Sequence, residues 1–575
     1  MDSSSCCDGS SINSVPHLGS GKHYKDQVGE SYYLTTAINY TNGAPHMGHA
    51  YEIVTSDILV RIAKLFGLDA RFQTGSDEHG QKIANIAEEK KITPKELCDA
   101  NVEQFKSMND RLNIKADRFI RTTDSDHFLS SQDMWKKCEL NGDIYLGNYT
   151  GWYNVREENF VTELEAKLSD YKDPVSGVPL KKMEEPSYFF RISKYIRLIR
   201  DYILDHPEFV QPESSREGIL SKLEPLVDHS EDLSISRTTF SWGIPVPNDP
   251  DHVMYVWFDA LTNYLTGLNW NGEDKSLYNK YWKNSIHIVG KDITWFHCVV
   301  WPAMLMSIGV SLPRTVFSHG FVTASDGKKM SKSLGNVVDP IEQLSEVGSD
   351  TFRYYLAREG RFGSDVKYQF SSLIDYNNGE LADSFGNLVS RITNLANKYC
   401  NGVVPYPSKE VKFESLPVDM EANFQSYFDS WRLFKIEECA QIPLNMSRSI
   451  NKFLTEQAPW DSTNGKTQEE RVETIRIVLE GVYCVSLLLS PFTTVSCDEV
   501  FRRLGTPLKT IPNISTNYDN LKPNTTICVG DPLFKRITTR QTKTFDELRA
   551  EKKERENKRI SSSKKKQKEQ EKQKA

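Results

Sequence analysis

The chain has 575 residues and a formal net charge of −7, and 38% of its residues are hydrophobic. No apolar run approaches the roughly 20 residues that a membrane-spanning helix needs, which excludes an integral membrane protein. Its 27 Phe, 25 Tyr and 10 Trp residues require large packed cores and exclude wholesale disorder. We therefore expect about four structural units, at roughly 150 residues for each.

The N-terminal region and the cysteines indicate a reducing compartment. Residues 1–30 lack the apolar stretch of a secretory signal, and no arginine precedes Arg61, whereas mitochondrial presequences are Arg-rich. The 10 cysteines are scattered and form no disulfide framework. We expect a cytoplasmic protein; a mitochondrial or dual location is the alternative.

The charge of the chain is divided unevenly. Residues 541–575 hold 13 Lys and Arg residues against 7 Asp and Glu residues, so the rest of the chain is acidic. Two interpretations of this basic tail stay open: a segment that adds solubility, or one that makes non-specific contacts with RNA phosphates.

The first part of the chain predicts alternating strands and helices. Residues 32–38 are short, β-rich and apolar, as in a buried strand, and apolar residues at helical spacing follow over 47–65. A second strand is predicted at 70–74. A capping box at 93–96 opens a helix that reaches about Leu112. This alternation predicts a parallel sheet with crossover helices.

The alternation is lost between about 142 and 246 and then returns. A strand is predicted at 286–290, an apolar helix at 295–308 and a strand at 315–323. We therefore expect a nucleotide-type α/β sheet that is split by an insertion. Beyond residue 350, amphipathic segments predict a helical bundle, at 352–358, 381–399, 424–439, 450–458 and 472–488.

The first chemical motif lies between the first strand and the first helix. In open α/β sheets ligands bind at that place, where the free N–H groups of the helix attract phosphate. His46 and His49 are three residues apart and share one helix face, so both can donate to a phosphate chain. Gly48 leaves room for a base or ribose. The alternative is a pair of histidines that only cap the helix.

The second motif is a basic, Gly-flanked loop at residues 327–336. Three lysines on such a loop can clamp a leaving polyphosphate. An ordinary solvated loop is the alternative for this motif alone. However, Lys329-Met330-Ser331-Lys332-Ser333 follows His46 by about 280 residues, and the two motifs together are highly specific.

With this pair of motifs the chain resembles class I aminoacyl-tRNA synthetases, specifically the methionyl-tRNA synthetase family, over residues 30–535. Residues 45–49 are similar to the family's HIGH element, and 329–333 repeat its KMSKS element. The resemblance implies an α/β fold, with a Rossmann-type parallel-sheet catalytic domain, a connective insertion and an α-helical anticodon-binding bundle. It implies that ATP activates L-methionine to methionyl-adenylate, which is then transferred to the terminal adenosine of tRNA(Met).

The resemblance also implies site residues wherever the local sequence matches. The implied catalytic residues are His46, His49, Lys329 and Lys332. The implied ATP contacts are His46, Gly48, His49, Gly290, Asp292, Lys329, Met330, Ser331 and Lys332. The implied methionine contacts are Ala37, Ile38, Tyr40, Asp77, Trp257, Ala260, Leu261, Tyr264, Ile293 and His297. Aromatic and aliphatic walls with one polar group suit a polarizable thioether.

Three residues of the bundle match the family's anticodon-reading positions. Asn387 and Arg391 are four residues apart, so one helix face presents both. An amide and a guanidinium can bond the edges of splayed bases, and the Trp460 indole can stack on one. The alternative for Trp460 is a buried tryptophan of the bundle core.

The expected cofactor is ATP with Mg²⁺, and no structural zinc is expected. Many relatives carry Cys-x-x-Cys knuckles in the insertion, but here no cysteine lies between Cys138 and Cys298. His206, His229 and His252 are too far apart in sequence to replace a knuckle. The expected partners are methionine, ATP and tRNA(Met), with no membrane, and we expect a monomer.

Seven segments are expected along the chain. They are a leader at 1–28, the first catalytic half at 29–141, the insertion at 142–246, the second catalytic half at 247–322, the KMSKS and stem-contact region at 323–380, the anticodon-binding domain at 381–535 and the basic tail at 536–575.

Two rival functions remain. A synthetase for another aliphatic amino acid would need a larger insertion for its editing domain than about 100 residues allow. A non-catalytic tRNA-binding relative would have lost a signature histidine or lysine, and none is lost here.

Overall fold

A computed structural model describes residues 23–156, 159–161, 163–174, 176–324, 327, 330 and 338–538. Its strands are β1 Ser31–Thr36, β2 Asn39–Tyr40, β3 Asp69–Asp77, β4 Arg118–Arg121, β5 Ile144–Asn154, β6 Asn159–Val161, β7 Lys181–Phe190, β8 Val210–Gln211, β9 Leu233–Ser234, β10 Ser236–Arg237, β11 Pro245–Val246, β12 Asp249–Met254, β13 Ser285–Gly290, β14 Thr315–His319, β15 Val322–Thr323 and β16 Val366–Lys367.

The α-helices lie along the described chain from residue 47 to residue 503. They are α1 Met47–Leu65, α2 Gln81–Lys90, α3 Pro94–Arg111, α4 Ser125–Leu140, α5 Glu163–Leu168, α6 Ser193–Asp205, α7 Glu213–Leu223, α8 Val256–Leu261, α9 Asn263–Thr266, α10 Ser276–Tyr281, α11 Trp301–Ser307, α12 Pro340–Val347, α13 Ser349–Arg358, α14 Phe370–Asp375, α15 Asn387–Tyr399, α16 Met420–Arg432, α17 Ile436–Gln457, α18 Gln468–Leu489 and α19 Thr494–Arg503.

Shorter and wider helical turns complete the set. The 3₁₀ turns are Tyr24–Gln27, Glu224–Leu226, Trp282–Asn284 and Ile511–Asn513, and the π-helical segments are Phe296–Val300 and Tyr376–Gly386. Among the residues described, no helix combines the length and the apolar character that crossing a membrane requires.

The centre of the molecule is a seven-stranded parallel sheet. Its order is β2-β3-β1-β13-β14-β8, and β4 also pairs with β3. Strands β1 and β13 are neighbours, and the chain continues from them in opposite directions, to β3 and to β14. This is a topological switch point, and ligands of such sheets bind in the crevice beyond the carboxyl ends of the two strands. The predicted α/β class with a split parallel sheet is confirmed.

The sheet separates two hydrophobic cores. Tyr32 and Leu34 of β1 pack into the core that contains α1 and the C-terminal helices, whereas Tyr33 between them packs into the other core. Side chains of a strand alternate between the two faces, so a strand that is buried on both faces is apolar throughout, as the sequence of β1 is. The predicted strand at 32–38 is confirmed, ending slightly earlier at Thr36.

The segment from 142 to 246 forms a second sheet and also extends the first. The antiparallel sheet has the order β6-β5-β7-β9. Strand β8 leaves this segment and pairs in parallel with β14 at the edge of the central sheet. One arm of the insertion is thereby fixed to the central sheet.

Two predicted elements are interrupted at particular residues. The strand expected at 315–323 breaks at Gly320, where a Cβ would lie 2.3 Å from the backbone of Ser364. The helix expected at 295–308 begins as the π-helical segment Phe296–Val300 before it becomes α11. Wide turns of this kind are frequent at functional sites.

The predicted helix at 424–439 is wrong. The chain forms α16 and α17 instead, with a break at which Phe434 has a φ of 57°. The Phe434 ring packs against Phe317 of β14, with 4.6 Å between the ring centroids. This tertiary contact outweighs the helical pattern. The segment predicted at 450–458 is the end of α17, which continues through Pro443.

A buried ion pair connects α1 to the C-terminal helices. Arg353 of α13 is fully buried and donates to Oδ2 of Asp57 on α1 at 2.7 Å. It also donates to the carbonyls of Pro491, Phe492 and Leu112. Burial alone would raise the pKa of Asp57, but Arg353 and Arg61 hold it below its usual range. One side chain therefore ties α1, the end of α3 and the end of α18 together.

Replacing Arg353 with Met should lower the free energy of unfolding by about 3–5 kcal/mol, because Asp57 would keep a buried charge without its main partner. Urea denaturation measures the loss. The control is Arg502→Met, since the Arg502 side chain is 62% exposed in its pair with Glu499 and its removal should cost less than about 1 kcal/mol. Equal losses in the two variants would contradict this role of Arg353.

Candidate active site

The candidate residues gather at the carboxyl edge of the central sheet. Ala37 follows β1, and its amide donates to the Ile288 carbonyl of β13 at 3.0 Å. Tyr40 of β2 pairs with Asp77 at the end of β3. Asp292 follows β13. Carboxyl ends of parallel strands meet at one edge, so segments far apart in sequence meet around the switch point.

His46 and His49 form a stacked pair at the start of α1. Their ring centroids are 3.7 Å apart, with an angle of 16° between the planes. Nδ1 of His46 accepts the amide of Gly48, and Nδ1 of His49 accepts the amide of His46. Because each Nδ1 accepts a hydrogen bond, the proton of each neutral ring lies on Nε2. The two histidines do cap the helix, and this tautomer makes Nε2–H the donor of each ring.

The position of the His46 ring leaves little room for a side chain at residue 48. A Cβ on Gly48 would lie 3.0 Å from Cε1 and 3.1 Å from Nδ1 of His46, which is tighter than ordinary contact. The glycine therefore lets the ring fold back over the first turn of α1. Desolvation and the adjacent His46 hold the pKa of His49 well below its usual range.

An aromatic wall is built by α8, α9 and the π-helical segment that follows β13. The Trp257 indole stacks on Phe296 with a centroid distance of 3.9 Å and an angle of 4°. Its ring also lies 6.1 Å from His297, edge to face. Ala260, Leu261 and Tyr264 come from the same pair of short helices, and Ile293 packs against the same core.

The hydrogen bonds of His297 fix its tautomer. Its Nδ1 lies 2.9 Å from the Ile293 carbonyl, which can only accept, so Nδ1 carries the proton. Nε2 then accepts the Tyr264 hydroxyl at 2.7 Å. Burial lowers the pKa of His297 to about 4. The wall therefore presents a neutral imidazole and an oriented phenol at neutral pH.

The loop after β3 places Asp77 at the sheet edge. The Asp77 carbonyl accepts the backbone amide of Thr41 at 3.0 Å, and the next residue, Glu78, is completely buried. Arg121 donates to both carboxylate oxygens of Glu78, at 2.6 and 2.8 Å. The anchored neighbour holds the partly buried Asp77 at the end of the strand.

A second buried pair lies beside the expected ATP contacts. Glu52 on α1 accepts from Nε2 of His319, at the end of β14, at 2.8 Å. Burial raises the pKa of Glu52, and Glu52 raises the pKa of His319 against the effect of burial. The charge of Asp292 raises both pKa values further. A Cβ on Gly290 would lie 2.7 Å from Oδ1 of Asp292, so the glycine admits this carboxylate.

Part of the second motif lies outside the described residues. Lys329, Ser331 and Lys332 belong to that part of the chain. Met330 is described and packs, partly buried, against the core that contains α1.

The three expected anticodon residues meet on the bundle surface. The guanidinium of Arg391 lies 5.4 Å from the centroid of Trp460 and donates to Asn451 and Thr455. Asn387 is exposed one turn earlier on α15. Trp460 is 40% exposed, which excludes a tryptophan of the bundle core.

Sequence reasoning missed three features of the site. Phe296 lies between two residues of the expected pocket, but its stacking on Trp257 cannot be read from the motif. Glu52 lies three residues after His49 on the same helix face, and this spacing could have pointed to it. His319 ends a predicted strand, which is a second available signal. Among the described residues, no group of three His, Cys, Asp or Glu side chains could hold a metal ion.

Two family comparisons cover most of the chain. The family described as "tRNA synthetases class I (M)" matches residues 32–169 and 162–393. The family described as "Anticodon binding domain of methionyl tRNA ligase" matches residues 409–554. The methionine–tRNA ligase of Clostridium tetani is 40% identical over 88% of this chain and 79% of its own length. That of Mycobacterium leprae is 39% identical over 92% of this chain and 99% of its own length.

Solved structures agree with these relatives. Methionyl-tRNA synthetase of Mycobacterium tuberculosis in complex with methionyl-adenylate has a TM-score of 0.82 and 38% identity, over 88% of this chain and 99% of that one. Its free form has a TM-score of 0.76 and 34% identity, over 89% and 99%. The sheet and the edge motifs, with these matches, define a class I aminoacyl-tRNA synthetase. The chain belongs to the methionyl-tRNA synthetase family.

The buried His297 should make the protein less stable in acid. Its pKa is about 4 in the folded chain and roughly 6.5 when unfolded, so the unfolded chain binds more protons between these values. Stability should therefore fall as the pH drops from about 6.5 towards 4. The loss of urea midpoint between pH 7 and pH 5 should be smaller for His297→Gln than for the wild type. An equal loss would contradict the neutral, buried imidazole.

Proposed function

We propose that this chain is a methionine–tRNA ligase that uses the crevice at the switch point to activate methionine with ATP and then charges tRNA(Met). The observation that carries the proposal is the aromatic wall of Trp257, Tyr264 and His297 at the sheet edge that also holds Asp77 and the His46–His49 pair. A pocket for a flexible thioether, an anion for an ammonium group and donors for phosphate are the groups that this chemistry needs.

Methionine is held at its two ends. The Asp77 carboxylate binds the ammonium group, with Tyr40 beside it on the paired strand. Trp257, Ala260, Leu261 and Ile293 enclose the side chain. Neutral His297 and the Tyr264 hydroxyl supply the polar part of the pocket. Ala37 and Ile38 form its floor at the end of β1.

ATP is held across the start of α1 and the end of β13. The Nε2–H groups of His46 and His49 face the phosphates, where negative charge grows as the methionine carboxylate attacks the α-phosphorus. Gly290 and Asp292 contact the adenosine, and Gly48 opens the first turn of α1. Lys329, Met330, Ser331 and Lys332 contribute through the second motif. Mg²⁺ bound together with ATP would neutralise charge on the phosphates.

These groups catalyse the reaction by positioning the reactants and by stabilising the charge that develops on the phosphates. The carboxylate oxygen of methionine forms a bond to the α-phosphorus, and the bond to the leaving pyrophosphate breaks. The adenosine of the tRNA terminus then attacks the activated carbonyl, and AMP leaves. No covalent bond to the enzyme is needed in either step.

tRNA(Met) is recognised far from the chemistry. Asn387 and Arg391 bond the edges of the anticodon bases, and Trp460 stacks on one of them. The Arg391 guanidinium faces the Trp460 indole, so both side chains lie on one surface of the bundle. We further propose a cytoplasmic monomer without structural zinc, divided into the seven segments expected from the sequence.

Pyrophosphate exchange with single amino acids tests the reaction. Methionine should drive ATP–pyrophosphate exchange in the absence of tRNA, and leucine, isoleucine and valine should drive it poorly. Faster exchange with any of those three would overturn the substrate assignment. Binding of tRNA without any exchange would favour the non-catalytic relative.

Substituting His46 with Asn should separate helix capping from catalysis. The asparagine oxygen can accept the same amide as Nδ1 does, so the melting temperature should barely change. The donor that corresponds to Nε2–H is lost, so the rate of exchange should fall about 10²–10³-fold, while the KM for methionine stays nearly constant. A full exchange rate in this variant would leave His46 with the capping role alone.

Replacing Trp460 with Ala should affect tRNA charging and leave exchange unchanged. Loss of one base–aromatic stack costs about 1–3 kcal/mol, or roughly a 5- to 150-fold fall in kcat/KM for tRNA. Trp460→Phe keeps an aromatic face and should retain most of the activity. The indole is 40% exposed, so its removal should leave the melting temperature nearly constant. Parallel loss of stability and of both activities would contradict the anticodon role.

A further inference from the structure

A buried carboxylate lies directly behind the aromatic wall. Asp259 of α8 is 1% exposed, and both of its oxygens face an imidazole. Oδ2 accepts from Nδ1 of His79 at 2.5 Å, and Oδ1 accepts from Nε2 of His127 at 2.6 Å. Both histidines are buried. Two charge-assisted bonds of this kind are what allow a carboxylate to stay ionised in an interior.

The three members of this cluster come from three separate parts of the fold. His79 lies in the loop after β3, two residues after Asp77. Asp259 lies two residues after Trp257. His127 lies on α4, and its Nδ1 is 3.2 Å from the hydroxyl of Thr266 on α9. The residues that Asp259 joins are 180 and 132 positions away from it in sequence.

The loop that follows Asp77 is also anchored on its other side. Arg121 holds the Glu78 carboxylate with two bonds, and the Trp242 indole donates to the Glu78 carbonyl at 2.6 Å. The His79 ring also lies edge to face with Trp242. The bond between His79 and Asp259 joins this anchored loop to α8, the helix that carries Trp257. A shift of α8 relative to the loop would break that bond.

We infer that Asp259 is a positioning residue that sets the spacing between the Asp77 carboxylate and the Trp257 wall through its bonds to His79 and His127. This inference rests on the proposed function, because it requires one amino-acid substrate to reach both places. The ammonium group and the thioether end of methionine lie at opposite ends of one short chain. A fixed spacing between Asp77 and Trp257 therefore selects a substrate of matching length. Asp259 maintains this spacing without contacting the substrate.

The carboxylate is needed because it accepts at both oxygens. An amide at this position has one accepting oxygen and no charge, so it cannot accept from both imidazoles as the carboxylate does. Asp259→Asn thus replaces the two charge-assisted bonds with weaker neutral contacts while it preserves the volume and the helix. Either the loop or α4 then loses its fixed distance from α8.

Exchange kinetics of Asp259→Asn test the inference. The KM for methionine should rise and kcat/KM for methionine should fall roughly 10- to 100-fold, the effect of misplacing a substrate by about 1 Å. The KM for ATP should stay constant, because the groups that hold ATP lie on α1 and after β13. Simple destabilisation would instead lower the active fraction and the apparent kcat.

Glu480→Gln is the matched control. Glu480 is a fully buried acid of α18 that accepts the amides of Asn520 and Leu521, at 2.9 and 2.7 Å, in the bundle. The same chemical change there should leave both KM values unaltered. An unchanged methionine KM in Asp259→Asn, or an equal rise in both variants, would overturn the inference.

A second variant keeps the test decisive if Asp259→Asn does not fold. His79→Gln cuts the bond between the loop and Asp259 and leaves the pair of Asp259 with His127. A raised methionine KM in this variant supports the inference, and an unchanged KM overturns it. Absence of methionine-dependent exchange in the wild type would overturn the proposed function itself, which separates the two failures.

Discussion

Arg353 is a fully buried cation, and the need to satisfy its donors fixes the relation between the catalytic sheet and the bundle. Its guanidinium bonds Asp57 on α1, the helix that His46 caps, and it bonds backbone oxygens at the end of α18. A charge in an interior is tolerated when every donor finds an oxygen. The catalytic helix therefore cannot shift against the bundle without exposing unsatisfied charge.

This constraint matters because the two proposed functional surfaces lie on different parts of the chain. The proposed amino-acid pocket lies at the sheet edge, whereas the proposed anticodon contacts Arg391 and Trp460 lie on the bundle. The core that contains α1 continues without interruption into α15, α17 and α18. A tRNA bound by its anticodon to the bundle would therefore be held on helices that share one core with α1. The fold sets the distance that the tRNA must span between the bundle surface and the sheet edge.

Much of the architecture follows from local patterns. The strand β1, the helix that starts at Met47 and the capping box at Thr93 are all readable because their apolar spacing and end signals act within a few residues. The pairing of His46 and His49 was readable for the same reason. Contacts between distant segments were not: Phe434 breaks a helical pattern because it packs on Phe317, and β8 joins a sheet whose other strands lie far from it in sequence.

The site shows the same division between local and distant information. Motifs predict which side chains face the crevice, but they do not show how these side chains are held. His297 is neutral because Ile293 and Tyr264 assign its two nitrogens, and Asp77 is fixed because its neighbour Glu78 is bound by Arg121. Each supporting bond joins residues that no short pattern connects. Buried polar pairs therefore set the geometry of this site, because they hold the motif residues in place.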